Sequence, residues 1–541
     1  MNQDARRSSG TFIAVLVAVV VLASFLLFWR LGSRPLTNWD EGIYAELTRE
    51  ISHSHDWWTM TYHEKYFAEK PPLVFWLMAA GYKLFGQTEF TMRMWSAAAG
   101  VVLAGLITWW SWLAHRRSLL VLLSGILFVT GRFMFFHSYR TGDTDAMLVL
   151  FTTLALFSYW RTRVNQRWWL LFGLFTGLAV MTKSIVGFLP PVIAVLDLAV
   201  SRKWKSLSWI KVGWALLIGL IVILPWHIVE IIRYGHAFWQ QYVTVNLVER
   251  SQDIVAGKNF PWHWYITTVI RQHYFPYALF LPLALYLGIK RAWRDPLGID
   301  RLLVIWFFTV LIIFSSAKTK FDQYIQPLYP AAAMLLAMTF MDILKNNISK
   351  LDRALFLLSI GGLIFSLPPR LIHQGILWRL TPYAWLPESW ATTMSGKLLV
   401  SVIVLAVVMG GGYVISRMVR WNFTQIIVAG LVPYLILSTL AWQYSYIKHL
   451  PTKNVFKDAG AYLEKIHPAA LDVIGIPHLH EPAGYYYLKN VPGLEVRELP
   501  AGSPPDTNFV LTTKKLLAQE APTPGSTVWA EGELVLLKTG L

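Results

Sequence analysis

The chain has 541 residues, 55% of them hydrophobic and only 15% charged, with a mean hydropathy of +0.45. A soluble protein of this size has no use for so much apolar surface, so an ordinary globular enzyme is excluded and a bilayer becomes the expected solvent. The net charge of +17 would suggest nucleic acid in a soluble chain. Most of that excess lies in short loops between apolar runs, where anionic lipid explains it and no nucleic-acid partner is expected. With no cysteine, disulfides and thiolate metal sites are excluded as well, which fits a bacterial envelope protein.

The N-terminal run "TFIAVLVAVVVLASFLLFWRL" is too long for a signal-peptide core and has no small-residue cleavage site after it. It reads as a retained first span. Residues 33–94 follow, too polar and charged to lie in lipid, and so form a large first outer loop. Within the loop, Asp40-Glu41 precedes "GIYAELTREIS", whose Ile43, Leu47 and Ile51 recur at helical spacing. Asn38 or Asp40 is the expected cap of that helix. Pro71-Pro72 then ends one segment and starts the helix "LVFWLMAAGYKLF".

Further apolar segments fall at roughly 95–114, 118–137, 144–160, 167–183, 185–200, 210–232, 274–290, 301–316, 323–343, 353–370, 397–416 and 424–446. With the first run they make about thirteen transmembrane helices, continuously apolar and so helical rather than barrel strands. Basic loops such as Arg116-Arg117, Arg161 to Arg167, Arg202 to Lys205, Lys290 to Arg294 and Arg417 to Arg420 fall on one side. The positive-inside rule makes that side cytoplasmic, together with the N-terminus. No internal repeat is visible, which weakens the case for a transporter built from two related halves. From about residue 451 the composition changes. "NVFKDAGAYLEKI" reads as an amphipathic helix, while "LDVIGI", "GYYYLKN", "NFVLTTKKLL" and "ELVLLKTG" read as strands or strand–helix pieces. The expected fold is an α-helical polytopic membrane domain over 1–450 and a small extracytoplasmic α/β domain over 451–541.

Charges on the expected outer face form two groups. The acids are Asp40, Glu41, Glu69, Asp143, Asp145 and Glu249; the bases are Lys70, Arg140, Lys183, Arg250, Arg271, Lys318 and Lys320. Charges beside lipid are costly unless they pair or bind ligand, and an excess of bases suits a phosphate. Tyr324 opens a later span and joins the group. A lipid phosphate is the natural ligand, with an acid as base for an acceptor hydroxyl. No histidine has ligand-grade spacing; Glu69 and Glu249 are the candidate ligands if a divalent metal ion is used.

The order "DEGIYAELTRE", "EKPPLVFW", "RTGDTDAML", "GLAVMTKSIVGFLPP", "NLVERS" and "SAKTKFDQYIQPLYP" resembles the bacterial relatives of protein O-mannosyltransferases and of the lipid A aminoarabinose transferase. These are integral-membrane glycosyltransferases of the C type, and the resemblance covers about residues 11–345. It implies transfer of a sugar from a polyprenyl-phosphate donor to a lipid, glycan or protein acceptor at the outer face of a bacterial inner membrane. Asp40 would be the catalytic carboxylate, with Glu41 and Asp145 in the same acid group, and Glu69 would hold the acceptor or a divalent ion. Lys70, Arg250 and Tyr324 would hold the donor phosphate, with Lys318 or Lys320 as further candidates. The chain departs from the aminoarabinose transferase at "VTVNLVERSQ", where Asn246 or Glu249 stands at the expected Glu-His, and at "GKNFPWHWY". Both departures bear on metal binding and on which sugar is moved. The rival readings are a transporter or flippase for an anionic or lipid-linked solute, and an envelope polysaccharide ligase or polymerase.

Overall fold

The computed structural model describes residues 3–54, 56–249, 258–295, 298–373, 422–450, 453–477, 481–519 and 525–539. The apolar runs fold as helices. They are α1 Gln3–Phe28, α4 Glu89–His115, α5 Ser118–Val129, α6 Asp145–Arg161, α7 Trp168–Lys183, α8 Leu189–Ser201 and α9 Trp209–Tyr234, followed by Leu281–Arg294, Ile299–Ser316, Tyr329–Leu344, Lys350–His373 and Phe423–Lys448. Seven spans among the described residues are long and apolar enough to cross a bilayer, where the sequence suggested about thirteen. Hydropathy finds apolar segments but not their breaks. α5 has 12 residues, about 18 Å at the helical rise, short of a hydrocarbon core of about 30 Å. The run 167–200 turns back on itself at a 3-10 stretch, Ser184–Phe188, so that Asp197 near the end of α8 reaches Tyr159 and Arg163 just before the start of α7. The expected span at 397–416 lies outside the described residues.

Close helix packing follows from small residues. A Cβ on Gly173 of α7 would stand 2.0 Å from the Ala215 carbonyl oxygen of α9, so only glycine lets these backbones meet. At one end of the bundle the loops that the positive-inside rule groups together are tied by ion pairs. Asp197 of α8 receives Arg301 through both oxygens at 2.7 and 3.1 Å, Arg163 at 3.2 Å and the Tyr159 hydroxyl at 2.7 Å.

The first loop folds as α2, Asp40–His53, a β1–β2 hairpin of Thr61–Tyr62 and Lys65–Tyr66, and α3, Leu73–Phe85, which starts after Pro72 as expected. The capping expectation fails. The position before α2 is Trp39, at φ 69° with no side-chain cap bond, and Asp40 is the first helical residue. Leu47 and Ile51 are buried, as the helical spacing predicts.

The C-terminal residues form a five-stranded sheet in the order β4-β3-β5-β7-β6. β3 (Ala470–Ile474) runs parallel to β4 (Glu495–Leu499) and β5 (Phe509–Thr513), while β7 (Leu534–Thr539) is antiparallel to β5 and β6 (Gly525–Glu531). "GYYYLKN", read as a strand or strand–helix piece, lies in the helix Pro482–Lys489 with proline in its first turn. This helix lies on α2: a Cβ on Gly42 would meet the Ala483 nitrogen at 2.5 Å. Tyr487 donates its hydroxyl to Glu89 at 3.0 Å and accepts the Leu36 amide at 2.7 Å, and Lys489 reaches Glu46 at 3.3 Å. The sheet is thereby anchored to the helix that carries the Asp-Glu pair.

Candidate functional site

Glu41 fixes the start of α2. Its carboxylate is 2.6 and 2.9 Å from the Arg93 guanidinium of α4. It also accepts the Gly142 amide at 2.9 Å, the Thr37 amide at 2.8 Å and the Thr37 hydroxyl at 2.9 Å. Burial opposes its charge, but the Arg93 charge and these hydrogen bonds outweigh burial and hold its pKa at about 2. A carboxylate so saturated has no lone pair to spare for a substrate. Glu41, expected among the catalytic acids, is a positioning group that ties α2, α4 and the 140–145 turn together.

The turn it holds carries the other acids. Gly142 packs on Met92, where a Cβ would come within 2.7 Å of the side chain, so the chain can pass close to α4. Asp143 is fully buried, its Oδ1 without a hydrogen-bond partner. Burial first, then the charges of Asp40 and Asp145, push its pKa well above the usual carboxylate range, against the pull of Lys70 and Lys183. Asp145 opens α6 and accepts the Lys183 ammonium at 2.6 Å. Lys183 ends α7, at the bend where Ser184 takes φ 51°, and its Nζ also lies 5.3 Å from the centre of the Tyr324 ring. Lys70, 8% exposed, places its Nζ 4.5 Å from the Tyr44 ring centre.

Glu69, Lys70, Asp145, Lys183 and Tyr324 line one cavity of about 360 Å³, with Ile185, Val186, Ile313 and Phe314 as its apolar walls. Five residues from four chain segments thus meet in one place. Asp40 stands beside the cavity, its charge felt at Asp143. The two loop lysines are not brought in. In the extended stretch after the helix Ile299–Ser316, Ala317 and Thr319 line the cavity. Successive side chains of extended backbone alternate, so Lys318 is exposed and Lys320 turns back to donate to the Ala317 carbonyl at 2.5 Å. Arg250 lies outside the described residues, as does the side chain of Glu249. Asp143 and Lys183 were visible in the sequence only as outer-face charges, and nothing in their spacing singled them out.

The other candidate ligand beside Glu69, Glu249, has its side chain outside the described residues. Among the described residues no three His, Asp or Glu side chains are arranged to hold an ion.

Residues 17–241 match the family model described as dolichyl-phosphate-mannose-protein mannosyltransferase. The undecaprenyl phosphate-alpha-4-amino-4-deoxy-L-arabinose arabinosyl transferase of Pectobacterium carotovorum is 28% identical over 387 residues, covering 70% of this chain and 68% of that one. Its namesake from Aeromonas salmonicida is 30% identical over 340 residues, 60% of each chain. Among solved structures, ArnT from Cupriavidus metallidurans bound to undecaprenyl phosphate superposes with a TM-score of 0.71 over 97% of both chains, at 19% identity.

Proposed function

From a chain that belongs with the membrane glycosyltransferases of the mannosyltransferase and aminoarabinose-transferase kind, we infer an enzyme that moves a sugar from a polyprenyl-phosphate donor to a hydroxyl-bearing envelope acceptor. The observation that carries this is the single cavity that joins Lys70, Lys183 and Tyr324 to an apolar wall. Two ammonium groups and a phenol suit a phosphate, and the wall of Ile185, Val186, Ile313 and Phe314 suits the first isoprene units.

In this reading the acceptor oxygen attacks the anomeric carbon while the bond from that carbon to the phosphate oxygen breaks. The electron pair leaves with the phosphate, whose growing charge the lysines stabilise. The acceptor proton goes to Asp40, which no longer has a capping role to account for it. One such displacement inverts the anomeric centre. Asp143 keeps a proton within the acid cluster and so limits repulsion around Asp40 and Asp145. Glu69, at the rim of the same cavity, orients the acceptor.

The multi-pass fold places the protein in a membrane; the proposed orientation has the N-terminus cytoplasmic and the C-terminal sheet outside. A cysteine at exposed Lys465 should label in intact cells, since the chain has no other thiol. The activity is tested with purified protein in nanodiscs, radiolabelled undecaprenyl-phosphate aminoarabinose or hexose, and an envelope extract. Label should pass to an acceptor while free undecaprenyl phosphate accumulates. Movement of the intact donor across a vesicle without bond cleavage would assign a flippase instead.

A further inference from the structure

A second pocket lies on the far side of the Glu41 clamp. It is lined by Arg34, Arg93, Arg140, Thr141 and Tyr446 and has about 10 Å³ of room, enough for a single oxygen atom. Among the described residues, Glu41 is the only acid ion-paired with any of the three arginines, and it pairs with Arg93. Arg140 is 8% exposed and donates only to carbonyl oxygens at the end of α1: Leu26 at 2.6 Å, Leu27 at 2.9 Å and Trp29 at 2.9 Å. Such bonds engage three of its five N–H groups and cancel none of its charge. Burial, then the Arg93 and Arg34 charges, pull its pKa down to about 10. Among the described residues the Arg34 guanidinium has no hydrogen-bond or ion-pair partner. Three guanidinium groups against one carboxylate form a site that an anion would relieve.

We propose that this pocket binds a phosphate group, as on the headgroup of an anionic membrane lipid, with one oxygen taking N–H groups of Arg34 and Arg140 while Arg93, whose five N–H groups are engaged by Glu41 and the Leu31, Arg34 and Pro35 carbonyls, adds charge alone. Guanidinium forks match phosphate oxygens, and a headgroup entering oxygen-first needs only the room that is present. The site is separate from the donor cavity yet joined to it. Arg140 and Thr141 face the second pocket, while Asp145, four residues on in the same turn, faces the first, and Gly142 between them is held by Glu41. A bound phosphate would therefore steady the turn that presents Asp143 and Asp145.

The test uses the full chain in phosphatidylcholine nanodiscs doped with phosphatidate, with lipids retained on the protein counted by native mass spectrometry. Wild type should retain phosphatidate in preference to phosphatidylcholine. Arg34→Gln should weaken that retention roughly tenfold, because one charged contact to phosphate is lost. Arg140→Lys, which keeps the charge but loses the fork, should weaken it as well. Added inorganic phosphate separates the sources: displacement of phosphatidate assigns the site to phosphate as such, and failure to displace assigns it to the lipid headgroup. Equal retention by wild type and Arg34→Gln, with both proteins folded by circular dichroism, would overturn the proposal whatever the donor cavity does.

Discussion

Two buried acid clusters sit at opposite kinds of place in this molecule. Around Asp197 both carboxylate oxygens are taken by arginines and a tyrosine. Around the 360 Å³ cavity, Asp143 keeps an oxygen without a partner, and burial and neighbouring acids raise its pKa. The first cluster is saturated and ties helix ends together. The second holds charge in a strained balance that folding alone does not need. Glu41 and Asp40, adjacent in the chain, divide along the same line: one fully engaged, the other beside the cavity.

The comparison breaks if saturation is not what distinguishes them. Arg301→Ala should have the largest effect on folding, about 3–5 kcal/mol, because Asp197 loses its bidentate partner in a buried site. Thermal unfolding measures the loss, and donor affinity of the folded fraction should stay at the wild-type value. Glu41→Gln should cost about 2–3 kcal/mol at neutral pH by leaving Arg93 without a counter-charge. Its pH dependence follows from a depressed pKa. The stabilisation by Glu41 is complete above the usual value of 4.5 and is lost as pH falls toward about 2, so the gap between variant and wild type should close over that window. Asp143→Asn should act in the opposite sense. A raised carboxyl pKa means the folded state binds the proton more tightly, so the cost of ionising Asp143 grows with pH. The variant should therefore gain a few degrees of thermal stability at pH 8, less in acid, while losing activity, as sites that trade stability for function do. Lys318→Ala, at an exposed position turned from the cavity, should change neither melting nor donor kinetics.

Much of this was legible in the sequence. Apolar runs marked the helices, and the polar first loop with "EKPP", "RTGDTD" and the Tyr324 motif marked the residues that meet. Three things were not. The number of complete spans depends on helix ends such as that of α5 at Val129, which the apolar run continuing to 137 does not reveal. Lys318 and Lys320 were further candidates beside Lys70, but extended backbone turns Ala317 and Thr319 to the cavity in their place. The separation of Glu41 from Asp40 rests on Arg93, more than fifty residues away, and no local pattern reports a partner at that distance.

The central claim is that the cavity binds the donor phosphate through its bases while Asp40 takes the acceptor proton. It is tested most directly by measuring donor binding and sugar transfer separately in Asp40→Asn. Because Asp40 is not the cap of α2, the variant should fold normally. It should bind radiolabelled polyprenyl-phosphate sugar with wild-type affinity and transfer it about 10²–10⁴-fold more slowly. Near-normal transfer by a well-folded Asp40→Asn protein would contradict the account.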